Sequence, residues 1–204
     1  MPYISSAVRS KQAIAAARSV LVRDGVAGTT MRAVAAEAQI PLGTLQYVYP
    51  SKQLLLRAVI EDVVEEIADV LRRSANLDEG LGVAIKDGVR RFWTTLVEEH
   101  RQLQLVQLEL VTHALRTPGL DTLAGWQYEQ YTRVVTEWCE AAATRAHESS
   151  AISYEQLARL IIAGLDGLII QHVVNPDLDR SGTDLDQLIA MLVDHAAVQP
   201  DPSV

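Results

Sequence analysis

The stretch GTTMRAVAAEAQIPLGTLQYVYPSK, residues 28–52, decides the fold. It holds two short segments of helical periodicity, separated by three residues. Thr29 or Thr30 caps the first, over 31–38, and Gln39-Ile40-Pro41 forms a tight turn. The second runs over 42–49, and Pro50 ends it. This is the spacing of a helix-turn-helix. Val34, Ala35, Ala38, Ile40 and Leu45 fall where they can pack the pair together and onto a preceding helix. Helices this short are unstable alone, so a scaffold must present the second one. Its outward face then carries Leu42, Thr44, Gln46 and Tyr47. A major groove has the width to receive such a helix.

Outward from this stretch the periodicity stays helical. A helix over 10–23 puts Ile14, Ala17 and Leu21 on one face, and Gly25 stops it. Ser51 caps a long fourth helix carrying Leu54, Leu55, Ala58, Val59, Val63, Ile67 and Leu71. After a break at 74–79 come helices over 80–99, 103–115, 120–146, 154–174 and 184–198. Thr117-Pro118-Gly119 and Asn175-Pro176 are stops, and 147–153 and 177–183 read as polar loops. No run alternates long enough for a strand. The chain is therefore expected to be all-α, with nine helices. An N-terminal three-helix domain (1–52) precedes a C-terminal helical body (53–204), and the fourth helix belongs to both.

At 204 residues and 49% hydrophobic, the chain can bury a core, which excludes disorder as its main state. The single cysteine, Cys139, excludes an internal disulfide and fits a reducing compartment. The apolar run 157–174 contains Arg159, Asp166 and His172, so it reads as a buried helix and not a membrane span. Residues 1–11 lack the apolar core of a secretory signal. A soluble cytoplasmic protein without a membrane partner is the expectation. The net charge is -8, yet residues 1–52 hold six basic side chains (Arg9, Lys11, Arg18, Arg23, Arg32, Lys52) against two acidic ones (Asp24, Glu37). A basic head on an acidic body suits a head that meets a polyanion.

The side chains fit that partner. Gln46 has a donor and an acceptor to pair with adenine, and Leu42 suits a thymine methyl. Thr44 and Tyr47 can donate to phosphate oxygens, and Lys52 can neutralise one. The start of the second helix, with Thr30 and Arg32, offers outward N–H groups to a second phosphate. The same residue types are also ordinary on an exposed bundle face.

Residues 28–52 resemble the DNA-binding signature of the TetR family of transcriptional regulators. The likeness rests on the Thr opening helix two, its Ala pair, Gly43-Thr44-Leu45 and Tyr49-Pro50-Ser51-Lys52, and it is strong over about 9–60. Beyond that, helix order and Gly164-Leu165-Asp166-Gly167-Leu168 look similar. The resemblance implies a homodimer on a palindromic double-stranded operator, usually released by a small ligand. Carried over by position, Leu42, Gly43 and Gln46 would face base edges. Arg32 would meet a base or a phosphate, and Thr30, Thr44, Tyr47 and Lys52 phosphates. Gln39 stands where the family has a turn Gly, at a cost if it is left-handed. Leu42, Gln46 and Val48 also depart from the common residues, which puts the operator sequence in doubt.

The body shows no catalytic constellation, P-loop or GxSxG. Its five histidines (His100, His113, His147, His172, His195) form no i, i+4 pair, so no metal or cofactor is expected. Glu109 and His113 share a helix face, as metal ligands or as a hydrogen-bonded pair. Cys139 beside Trp138 reads as a packed small residue. Trp93, His113, Tyr128, Tyr131, Val135, Trp138, Leu165, Leu168 and His172 lie on helices that would surround one centre, a pocket for a mostly apolar effector or simply core. Ile161, Ile162, Leu165, Ile169 and Val173, with Leu185, Leu188, Ile189, Leu192 and Val193, exceed what one chain should cover. A two-fold interface through 154–174 and 184–198 follows, where Gly164 and Gly167 would admit another backbone. Two rival classes are an all-helical enzyme, separable by metal analysis, and a protein-binding adaptor, which would show no salt-dependent DNA binding.

Overall fold

A computed structural model describes residues 6–74, 77–98, 101–118 and 120–200. Its helices are α1 (Ser6–Gly28), α2 (Met31–Glu37), α3 (Leu42–Val48), α4 (Lys52–Ser74), α5 (Leu81–Phe92), α6 (Arg101–Arg116), α7 (Asp121–Ala146), α8 (Tyr154–Val174) and α9 (Leu178–Ala196). The all-α class read from periodicity holds. The expected break at 74–79 and the stop at Gly119 fall partly outside the described residues.

Two compact units divide the chain. The first is Met1–Glu65 with Leu105–Gln127, and the second is Glu66–Gln104 with Tyr128–Val204. The first part of α4, a helix the sequence assigns to both parts, and most of α6, which it places in the body, thus group with the N-terminal helices.

In the first unit, Ala13, Ala17, Val20 and Leu21 of α1 pack with Val34, Ala35, Leu45, Leu55 and Leu56, and with Val106 and Leu110 of α6. Val34, Ala35, Ala38 and Leu45 are buried as the pattern requires, and Ile40 is partly buried. The face expected of α4 is rotated: Leu55, Leu56, Val59 and Ile60 are inside and Leu54 is exposed. A run of three leucines does not itself say which one turns inward.

The second unit has its own core, from Leu81, Ile85, Val89, Trp93, Trp138, Cys139, Leu157, Ile161, Leu165, Ile169, Leu185, Ile189 and Leu192. The carboxylate of Glu148 caps α5, accepting from Leu81 N at 2.6 Å. Burial pushes the Cys139 thiol up to about 12, which leaves it protonated and inert near neutral pH.

Three local expectations are corrected. The helix expected over 80–99 is α5 followed by a π-helical turn, Trp93–Glu98, where Thr94 Oγ1 donates to the carbonyls of Arg90 and Arg91. The expected loop 177–183 is the start of α9: the side chain of Asp177 caps it from Arg180 N, and Ser181 is buried against His172. The expected loop 147–153 contains Glu148–Ser149, which pairs antiparallel with Gln199–Pro200. Two residues are too few for a period to register.

Candidate nucleic-acid interface

α1 ends at a break. Gly25 sits at φ 68, ψ 179, and one further turn follows to Gly28. Thr29 then returns to the break, giving both N–H and Oγ1 to Gly25 O at 3.1 and 2.7 Å. Thr30 caps α2, its side chain accepting from Ala33 N at 3.1 Å. Gln39 makes the turn with φ 55, so the residue standing in for glycine is left-handed. Gln12 Nε2 donates to Ala38 O at 2.7 Å, which closes the C-terminus of α2. Tyr49 is buried behind α3, and its hydroxyl lies 2.7 Å from Ser10 Oγ. The pair α2–α3 is therefore pinned at both ends, by side chains the pattern of apolar residues does not disclose.

α3 buries Leu45 completely, rests Leu42 and Val48 partly on the same core, and turns its remaining residues outward. Tyr47 is 83% exposed, Gln46 and Gly43 are exposed, and Leu42 and Thr44 are half-exposed. A Cβ at Gly43 would meet nothing within 4 Å. No neighbour in the chain requires a glycine there, although glycine weakens a helix. Thr30 and Arg32 are exposed at the start of α2.

The cations of the head are not all alike. Arg18 pairs with Asp62 at 2.8 Å, and Arg23 with Glu37 at 2.7 Å and Asp24 at 3.0 Å. The hydrogen bonds that Arg23 donates to Asp24 and then to Glu37 hold its guanidinium above the ordinary value. Lys52 is half-buried and its Nζ donates to Val26 O at 2.7 Å. Burial pulls its ammonium below the ordinary lysine value, against the opposing pull of Glu109. So Lys52 differs from the expectation of a side chain given over to phosphate. Arg9, Lys11 and Arg32 enter no ion pair among the described residues.

A model of bacterial regulatory proteins of the tetR family matches residues 13–59, and one of the tetracyclin repressor-like C-terminal domain matches 58–195. The chain belongs to the TetR family. As a TetR-family member it is a transcriptional regulator and not an enzyme. It is 26% identical over 195 residues to the HTH-type nicotine-responsive transcriptional repressor HdnoR of Paenarthrobacter nicotinovorans, with 96% of this chain and 99% of that one covered. Among solved structures, a TetR-family regulator from Mesorhizobium loti is similar with a TM-score of 0.74 at 16% identity, over 94% of this chain and 98% of that one. GusR of Salmonella enterica gives 0.71 at 18%, over 93% and 95%. These two likenesses concern the fold.

In the second unit of the TetR-family chain, most of the expected pocket residues come together. Trp93 and His172 meet edge-on at 5.5 Å between ring centroids, and His172 Nδ1 lies 3.1 Å from Ser181 Oγ. Tyr128 and Tyr131 meet edge-on at 6.0 Å. Tyr128, Tyr131, Val135 and Trp138 follow one stripe of α7. Val135, Trp138 and Leu165 are buried, and Leu168 partly so. His113 is different: it lies in the first unit, its Nε2 3.4 Å from Thr117 Oγ1. Glu109, its expected partner, bonds instead to Val26 N at 2.9 Å. No group of three metal-ligating side chains occurs among the described residues.

Sequence reasoning missed Asp166, although it quoted the stretch that contains it. Tyr128 OH donates to Asp166 Oδ2 at 2.7 Å. Burial raises the Asp166 carboxyl, with the Tyr128 hydrogen bond opposing. Thr136 was also missed; its Oγ1, like Nε1 of the expected Trp93 and Trp138, is buried with no hydrogen-bond partner.

The residues expected to form a two-fold interface face their own core instead: Ile161, Leu165, Ile169, Leu185, Ile189 and Leu192 are all buried in the single chain. The same helices expose a different set: Leu160, Ile170 and Val174 of α8, with Leu178 and Met191 of α9. Gly164 is filled by Leu188, 2.6 Å from where its Cβ would stand, whereas Gly167 has nothing within 4 Å. By length and composition α8 alone among the described helices could cross a membrane. Of its apolar window, 39% is buried inside the chain.

Proposed function

We propose that this chain is a ligand-released repressor that binds a palindromic operator as a homodimer. Leu42, Gly43 and Gln46 face base edges, and Thr30, Thr44 and Tyr47 face phosphates. Arg32 meets a base or a phosphate. Lys52 gives one hydrogen to Val26 O, which leaves two for a phosphate. The observation that carries the reading is the outward face of α3, with an exposed tyrosine and glutamine and a glycine that no protein neighbour requires. A DNA partner also places the protein in the cytoplasm.

The effector site is the stripe of Trp93, Tyr128, Tyr131, Val135, Trp138, Leu165, Leu168 and His172. Two indole N–H groups left unsatisfied in a buried core support it, because a ligand acceptor would remove their cost. The effector acts through its different affinity for two arrangements of the dimer, which set the separation of the α3 helices to about 34–36 Å or away from it. The relative that is nicotine-responsive by name makes nicotine the first probe.

Fluorescence anisotropy with the duplex flanking the protein's own gene tests this. Tight binding over random duplex is expected, with a salt slope of about -4 if Arg32 and Lys52 of two subunits neutralise about four phosphates. Arg32→Ala should flatten that slope by about 2, and Gln46→Ala should relax preference at one base position. Equal affinity for random duplex at every salt concentration would refute the reading.

A further inference from the structure

The break in α1 raises a problem that the chain solves with two distant side chains. Val26 follows the non-helical Gly25 and is fully buried, so its N–H has lost its intrahelical acceptor where water cannot replace it. Glu109 of α6 supplies the acceptor, Oε1 to Val26 N at 2.9 Å. The carbonyl of the same residue is taken by Lys52 Nζ at 2.7 Å, from the first turn of α4. One residue, Val26, is thus held at its N–H by an anion from α6 and at its carbonyl by a cation from α4. The site is also closed to a side chain: a Cβ on Gly25 would stand 3.0 Å from both carboxylate oxygens of Glu109, at a φ of +68. Thr29 fastens the far side of the joint to Gly25 O, and Thr30 begins the cap of α2 directly after it. The direction in which α2 and α3 leave α1 is therefore set at this point.

We propose that Glu109 is a positioning residue for DNA binding: its carboxylate, with Lys52, clasps the joint between α1 and α2 and so holds the recognition helix in its reading orientation. The opposing influences on Lys52, burial downward and Glu109 upward, accord with a shared site. Val106 and Leu110, on the same helix as Glu109, pack into the core of the first unit beside the clasp. This rests on the functional reading above but makes a separate demand. A distant negative charge repels DNA, so plain electrostatics predicts that removing Glu109 strengthens binding to every duplex. The clasp predicts the reverse.

The test uses the full-length chain, a duplex selected by the wild type from a random pool, and a random-sequence control. In Glu109→Ala, affinity for the selected duplex should fall about tenfold or more, with little change on the control, because a buried N–H has lost a charged acceptor. Hydrogen exchange at the Val26 amide should quicken by a similar factor. Glu109→Gln keeps an acceptor oxygen at the same reach and should hold both quantities within about threefold of wild type. Glu109→Asp keeps the charge but is one methylene short, and should behave as the alanine variant does. Should Glu109→Ala unfold, the Gln and Asp variants carry the same contrast. Unchanged or tighter binding by Glu109→Ala or Glu109→Asp overturns the proposal, as does slow Val26 exchange in either. A wild type that selects no duplex overturns the functional reading instead, and the exchange measurement then judges the clasp alone.

Discussion

At the scale of the residue, the informative positions are those where the chain accepts a cost. Gly43 lies in a helix with open space around it. Gly43→Ala should raise stability by roughly 0.5–1 kcal/mol through helix propensity, read as a higher melting temperature. The same variant should bind operator more weakly, since the methyl group would stand on the face proposed to meet DNA. A gain in both would remove Gly43 from the interface. Asp166 carries a second cost. Its folded pKa is raised by burial, so the folded chain favours the protonated acid. The stability this form contributes is complete below the ordinary aspartate value and is lost as pH rises through the raised one. Above that window Asp166→Asn, still able to accept from Tyr128, should melt higher than wild type. In acid the difference should vanish. A difference that is flat across pH would contradict the cause assigned here.

At the scale of the element, caps explain why short or weak segments are helical. α2 has seven residues and no charged residue in its first turn that could steady its N-terminus by being acidic. The Thr30 side chain supplies the missing acceptor. Thr30→Ala should cost about 1 kcal/mol. In a chain of this size that is about 2–4 °C in melting temperature. An unchanged transition would show that tertiary packing alone holds α2. α9 makes the same point in reverse. Its first turns, Asp177 onward, are polar and contain Ser181, Gly182 and Thr183, which reads as a loop. The cap by Asp177, the bond from Arg180 to Asn175 O and the burial of Ser181 make it helix. None of these partners is announced by periodicity.

For the whole molecule, the question is what covers the face of α8 and α9 that the chain leaves open. Val174 is 78% exposed and Met191 68%, and Ile170 and Leu178 are exposed beside Gly167 on the same helices. A second copy is the proposed cover. Replacing Ile170 and Met191 together with glutamate should disturb each folded chain little, since both positions are already solvated. It should reduce the mass in sedimentation from twice the chain to one, and operator affinity with it. A wild type that sediments as a single chain at micromolar concentration would refute the interface.

The helix-turn-helix, the order of the helices and the outward residues of α3 were legible from sequence. They depend on neighbours three or four positions away, on cap residues and on prolines, and such interactions are local. The family likeness resided in that same stretch. What tertiary structure decided is of another kind. Lys52 is drawn to Val26, and Glu109 to the break in α1 rather than to His113. Ile161 and Leu185 turn to their own core, while Val174 and Met191 do not. Each of these pairs residues far apart in the chain, or chooses between two apolar faces of one helix. Spacing carries no record of that choice, because burial and charge compensation are settled only when distant helices come into contact.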